Sequence, residues 1–392
     1  MEQPHCRILH VIPKLNTGGS QWMLFKLLHA GQASPEFDQQ VLCLGKPDRL
    51  SPIFAEAGIK VEHLGMDLKR PNPWVIWRFV QCIRQARPDI VVSWLFVADF
   101  LTLLTRPWTG IPRLICNLRT SSLSLKSLGG LDYILVRLNR FLSSRMDGML
   151  HNAHAGKQQL QQLGYTPSWW HYIANGFDLE KLQPNPHAPR RLREQLKLPE
   201  GAFLFGCFAR YHPCKDHKSL LHAFQWLHQR QPHAYLLLVG RGLDCAEMDQ
   251  LVDRLQVQDH VLRLAELTDV GQWLPGLDAA VLASSEGEGF SNFIGEAMAC
   301  GVPCVSTDSG DHRLVIGDTG SIVPAGDAHA LGEAMQRMLL LSPPERQALG
   351  VRAREQIVGH FDIDQVVTAY HLCYQALMAG SPPETNQPPK ES

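Results

Sequence analysis

Ser284-Ser285-Glu286-Gly287-Glu288-Gly289-Phe290-Ser291-Asn292-Phe293-Ile294-Gly295-Glu296-Ala297-Met298-Ala299-Cys300-Gly301-Val302-Pro303 is the most informative segment of this 392-residue chain. The apolar run Ala279–Ala283 before it reads as a strand. A loop with glycines at 287 and 289 follows, and a helix is expected over Asn292–Ala299. Of the three glutamates in this unit, Glu288 stands in the loop and Glu296 on the helix. A carboxylate accepts two hydrogen bonds from neighbouring hydroxyls, which suits the diols of a ribose or a hexose. The free amides at the start of the helix suit phosphate oxygens. An ordinary capped surface helix would account for the glutamates, but not for so many glycines in the loop.

Outward from this segment the same pattern repeats. In the second half, strands are expected at Leu204–Ala209, Ala234–Val239, His260–Leu264, Ala279–Ala283 and Pro303–Ser306. Helices are expected at Lys218–Gln229, Ala246–Leu255, Asn292–Ala299 and His329–Leu341. The first half offers strands at Ile8–Ile12, Gln40–Leu44, Lys60–Leu64, Ile90–Ser93, Arg113–Asn117 and Gly148–His151. Between them lie helix-like stretches near Gln21–Ala30, Pro52–Ala57, Trp74–Ala86, Asp99–Trp108, Asp132–Leu142 and Ala155–Leu163. Strands alternating with helices imply parallel sheets. The expected fold class is therefore α/β, with two Rossmann-like, doubly wound domains. Such sheets bind ligands at the carboxyl ends of their strands, so two of them facing each other would enclose a cleft. Pro184, Pro186 and Pro189 mark Gln183–Arg191 as a linker. The domains are set at 1–182 and 192–361. Residues 362–379 form a C-terminal helix that crosses back to the first domain, and 380–392 a disordered tail.

Two further loops carry chemistry. Pro13–Ser20 joins a strand to a helix and contains Gly18-Gly19. Paired glycines let a ligand approach the backbone, although a plain tight turn would look the same. Phe208–Asp216 follows the first strand of the second domain and brings Arg210 and Lys215 near one helix start. Fixed cations there would stabilise the charge that grows on a departing diphosphate.

Composition narrows the remaining choices. Net charge is −1, but Lys69–Arg145 holds 12 Lys/Arg against Asp89, Asp99 and Asp132, so that stretch is +9 and the rest −10. The net charge argues against nucleic acid, and the distribution points to a local anionic partner, such as a phosphate-bearing substrate or a membrane surface. No basic start precedes an apolar signal region, and no apolar run is long enough to span a bilayer. The ten cysteines lack framework spacing, as expected of reduced thiols in a cytoplasmic protein. His212, Cys214 and His217 fall short of a four-ligand metal set, so no metal site is expected.

Glu288–Pro303 closely resembles the EGFxN…EAMAxGxP signature of the family-4 glycosyltransferases, which have the GT-B fold. Arg210 with Lys215 resembles their phosphate-binding motif, Gly18-Gly19 their first-domain glycine loop, and Ile173–Asp178 their NGxD segment. The order of motifs matches over nearly the whole chain. The resemblance implies a retaining transferase that moves a sugar from a nucleotide-diphosphate sugar, UDP- before GDP-, without metal or other cofactor. The missing Asp-x-Asp motif agrees with metal independence. Glu296 would hold the ribose and Glu288 the donor sugar. Gly289, Phe290, Ser291 and Asn292 would offer backbone amides, and Arg210, Lys215, Gly18 and Gly19 would surround the diphosphate. The catalytic set it implies is Glu288, Arg210 and Lys215. Two departures stand out: Ser291 replaces the usual proline, and Asn117-Leu118-Arg119-Thr120-Ser121-Ser122 occupies the place of a loop that carries a His in many relatives. Arg119 and Asn117 are the acceptor-side candidates, with Arg119 facing an acceptor phosphate or the donor. His151 and His154 read as structural.

The acceptor is expected to be a glycan or a lipid-linked, lipopolysaccharide or exopolysaccharide precursor. Leu131–Arg145 combines a broad apolar stripe with Arg137, Arg140 and Arg145, and Trp74 and Trp77 stand near Lys69 and Arg70. This is either a helix packed into the core with arginines outside, or one lying on anionic lipid at the inner membrane face. A nucleotide-sugar epimerase of the same architecture and a non-catalytic glycan or nucleotide binder are the other readings. A Rossmann oxidoreductase lacks its Gly-x-Gly-x-x-Gly fingerprint here.

Overall fold

The computed structural model describes residues 6–67, 73–119, 128, 130–285 and 288–383. These residues form two units. The first runs to Gly176 and resumes at Ile363; the second is Phe177–Asp362. The chain therefore changes unit at Gly176, six residues before the expected boundary. The reason is local: the Phe177 amide donates to the Phe361 carbonyl at 2.9 Å, and Phe177 bridges Asp362 in parallel. The two crossings between units thus run side by side.

The first unit holds a parallel sheet of β1 (Cys6–Ile12), β2 (Phe37–Cys43), β3 (Val61–His63), β4 (Ile90–Trp94), β5 (Leu114–Leu118), β6 (Gly148–His151) and β7 (Trp170–Tyr172). Their spatial order is β3-β2-β1-β4-β5-β6-β7. In the second unit the strands are β8 (Phe203–Phe208), β9 (Ala234–Val239), β10 (Val261–Leu264), β11 (Ala279–Leu282), β12 (Cys304–Thr307) and β13 (Ser321–Val323), ordered β10-β9-β8-β11-β12-β13. In each sheet the chain winds outward from the first strand, then returns to that strand's other side. The winding direction reverses between β1 and β4, and between β8 and β11. Ligands of doubly wound sheets bind at this reversal.

Alternation within a strand sorts side chains to the two faces of the sheet. In β1, Ile8 and Ile12 join Leu24 and Leu27 of the helix Gly19–Gly31. Leu9 and Val11 join Phe79, Phe96 and Leu101 on the opposite face. The helix Ile363–Met378 completes the first of these faces with Val366, Val367, Tyr370 and Tyr374.

Sequence patterning missed β7 and β13, each only three residues long and too short to show a period. It also missed the helices His312–Ile316 and Pro343–His360. The expected linker is corrected in part, because Ala188–Leu196 is a helix. Proline is compatible with a helix's first turn, where no amide is needed, so Pro189 starts this helix rather than breaking a structure. Residues 384–392 of the expected tail lie outside the described residues, as do Lys69, Arg70 and Lys126.

Candidate active site at the reversal of the second sheet

Four loops converge at the carboxyl ends of β8, β9, β11 and β12. The loop after β8 is pinned by the Tyr211 amide, which donates to Arg241 O at 2.8 Å. Gly240 allows this approach, since a Cβ there would stand 2.3 Å from Ala209 O. Pro213–Lys215 forms a single 3₁₀ turn. Asp216 then caps the helix His217–His228, its Oδ1 accepting from the Ser219 amide at 3.1 Å. The Ser285 amide donates to Cys214 O at 3.0 Å and ties this loop to the one after β11.

Across that tie, Lys215 Nζ donates to both carboxylate oxygens of Glu288. Ser284 Oγ donates to Glu288 Oε2 at 2.5 Å. The two charged side chains are 17% and 12% exposed, so water screens them little. Burial pushes the Glu288 carboxyl up; Lys215, His312 and the Ser284 hydroxyl outweigh it and hold the group at about 2. Glu288 is thus a fixed anion paired with a cation 73 residues away in sequence. Sequence reading placed both residues in one site but gave no sign that they bond each other.

The turn after β12 supports this loop from behind. Gly310 has φ 57°, and a Cβ there would lie 1.9 Å from Glu288 O. The Asp311 amide donates to Gly289 O at 3.0 Å. His312 is fully buried beside it. Its Nδ1 donates to Thr307 O at 3.0 Å, and burial lowers its pKa while the Glu288 charge opposes that shift. No sequence signal marked His312 or Ser284 as supports.

The helix Asn292–Ala299 begins at Ser291, whose backbone is extended and whose side chain caps nothing. Its first-turn amides thus donate no hydrogen bond to that side chain. The helix is seated on Phe177: a Cβ at Gly295 would lie 2.0 Å from the ring. Phe290 turns inward, its ring 5.1 Å from that of Phe361, which leaves only its backbone to face a ligand. Asn292 and Glu296 are half-buried at the helix start and one turn on, and Arg210 is exposed.

The other candidates belong to the first unit. Gly18 is the extended residue before the helix Gly19–Gly31, at the end of β1 beside the reversal, and Gly19 is exposed. Asn117 requires a correction. It is fully buried, and its Nδ2 donates to Tyr370 Oη at 2.9 Å, so it is a core tie with no surface for an acceptor. Its place inside β5 is the reason. Arg119, just past that strand, donates through Nε to Asn117 Oδ1 at 2.9 Å, through Nη1 to Asn175 Oδ1 at 2.8 Å, and through Nη2 to Tyr370 Oη. Thr120–Ser122 lie outside the described residues. His151 is buried and its pKa falls to about 3, mainly through desolvation.

Two doubly wound parallel sheets, with an ion pair and an uncapped helix start at the reversal of the second, define a protein of the GT-B fold class. Residues 17–181 match the model described as Glycosyltransferase Family 4, and residues 202–340 the one described as Glycosyl transferases group 1. The chain belongs to the family-4 glycosyltransferases. N-acetyl-alpha-D-glucosaminyl L-malate synthase of Bacillus anthracis is 40% identical over 144 residues, 36% of this chain and 37% of that one. The lipopolysaccharide core biosynthesis mannosyltransferase LpsB of Rhizobium meliloti is 28% identical over 249 residues, 61% of this chain and 68% of that one. Among solved structures, HepE of Anabaena in complex with UDP and glucose superposes with a TM-score of 0.83 at 20% identity, covering 96% of this chain and 100% of that one.

Proposed function

We propose that the protein transfers a sugar from a nucleotide-diphosphate sugar, UDP- first and GDP- next, to a glycan or lipid-linked acceptor with retention of configuration. The observation that carries this reading is the buried Lys215–Glu288 pair ahead of the uncapped start of Asn292–Ala299. A departing diphosphate needs fixed positive charge and amide donors, and Lys215, Arg210 and the amides of Gly289–Asn292 supply both. Glu288 serves as a positioned carboxylate for the donor hydroxyls, and Glu296 holds the ribose. Gly18 and Gly19 offer bare backbone to the diphosphate. Catalysis by this set requires no metal, so chelation would leave the rate unchanged.

The acceptor side is read as working on a cytoplasmic, anionic membrane face. The helix Gly130–Leu142 buries Leu135, Val136 and Asn139, while Leu131, Ile134, Leu138 and Phe141 are 50%, 55%, 42% and 74% exposed. This exposed row, with Arg137 and Arg140 alongside, favours the lipid reading over the core-packed one. Trp74 and Trp77 are also exposed, with ring centroids 4.6 Å apart. Among the described residues no helix is long and apolar enough to cross a membrane.

The test is thermal unfolding with UDP, GDP, ADP and NAD in wild type and in Glu296→Ala. A ligand that binds the native state raises Tm by mass action. The expected result is a rise with one of UDP or GDP that disappears in the variant. A rise with NAD alone, or an unchanged response in Glu296→Ala, would sink the donor assignment. With the matching sugar nucleotide, an isomerised donor and no transfer would convert the reading to an epimerase.

A further inference from the structure

We propose that Arg119 is the receptor for an anionic group, a phosphate or carboxylate, on the acceptor; the identification of that group with the acceptor rests on the transferase reading above. A half-buried guanidinium is expensive to desolvate and is normally neutralised by a carboxylate. Among the described residues Arg119 has only neutral hydrogen-bond partners: the two amide oxygens of Asn117 and Asn175, and the Tyr370 hydroxyl. Its Cζ lies 5.3 Å from the ring centroid of Trp94 and 5.8 Å from that of Tyr370. Among the described residues no acid pairs with it, and the groups that act on it electrostatically are the phenols of Tyr374 and Tyr172. The residues that follow it, Thr120–Ser127, include no Asp or Glu.

The neighbouring polar groups do not cancel this charge either. The Asn152 amide donates to Asn175 Oδ1 at 3.0 Å. Its own Oδ1 is buried without a partner. His151, on β6 beside β5, is neutral. The result is a single positive charge, clamped in direction by three hydrogen bonds and two ring faces.

Its position fits a ligand role. Arg119 stands one residue past the carboxyl end of β5, on the edge where doubly wound sheets bind ligands. A purely structural latch would be met at lower desolvation cost by a neutral side chain. A guanidinium adds a planar fork of five donors, of which three bond to described residues. The remaining N–H groups suit two oxygens of a phosphate or carboxylate.

The probe is inorganic phosphate at constant ionic strength, read by the shift in Tm against chloride. The proteins are wild type, Arg119→Gln, Arg119→Lys and the double variant Arg210→Ala/Lys215→Ala, with UDP and GDP titrated in parallel. Phosphate should stabilise wild type and should still stabilise the double variant, which lacks the donor-site cations. Its affinity should fall at least about tenfold in Arg119→Gln, the size of a lost charged hydrogen bond. Arg119→Lys, which keeps the charge, should fall between the two and keeps the test usable if the glutamine variant does not fold. The nucleoside diphosphate response should be the same in wild type and Arg119→Gln. A phosphate effect untouched by both Arg119 variants, or one abolished in the double variant, would overturn the proposal. So would weaker nucleoside diphosphate binding in Arg119→Gln, which would assign Arg119 to the donor. If no nucleoside diphosphate binds wild type, the transferase reading fails by itself while the phosphate arm still reports on Arg119.

Discussion

Glu288 is held ionised by a partner that can be removed. Its folded pKa, about 2, lies below the ordinary 4.5. The sign follows from linkage. The pair's contribution is complete above pH 4.5 and is lost as the pH falls from there towards 2. Lys215→Met deletes the cation and leaves a buried carboxylate without its counter-charge. At neutral pH the variant should lose roughly 2–3 kcal/mol in urea unfolding. The gap between wild type and variant should narrow below pH 4.5 and close towards pH 2. A gap that stays constant across that range would mean that the ion pair contributes nothing to stability.

Elements in this fold are set by small residues as much as by apolar ones. The helix Asn292–Ala299 has Ile294, Ala297 and Met298 buried, and it can approach Phe177 only because residue 295 has no side chain. Gly295→Ala favours the helix intrinsically but forces a methyl into the ring. Overpacking of this kind costs about 1–3 kcal/mol. The variant should therefore unfold at lower urea despite its better helix propensity, and its affinity for the stabilising nucleoside diphosphate should fall as the helix start shifts. An alanine variant as stable as wild type would show that Phe177 moves aside. The helix Gly130–Leu142 shows the opposite arrangement: its sequence carries a broad apolar stripe, and the fold buries only part of it.

At the scale of the whole chain, charge is segregated. The stretch Lys69–Arg145 carries +9 in a protein of net charge −1. Attraction to an anionic surface should therefore be local, and it should weaken with salt over a Debye length of about 8–10 Å. Sedimentation with phosphatidylglycerol vesicles should retain wild type at low ionic strength and release it as salt rises. Ile134→Ser/Phe141→Ser should reduce retention at every salt concentration, because apolar insertion is not screened. Equal retention of that variant and wild type would remove the helix from the membrane reading.

Periodicity and punctuation are local properties, so two doubly wound halves, most strand positions, and the segment in which Glu288 and Glu296 stand were legible along the chain alone. The glycines of that segment reported a close backbone approach without saying to what. Tertiary structure alone decided the partners. Lys215 meets Glu288 because β8 and β11 become neighbours when the winding reverses, and Phe177 meets Gly295 through packing. Asn117 looked available as a residue near a loop, yet a core tyrosine from the end of the chain takes its amide. Tyr370 lies 251 residues beyond Arg119, and no periodic signal links positions that far apart. Hydrogen bonds and desolvation act over a few ångströms in space, and only the folded chain specifies which residues come within that range.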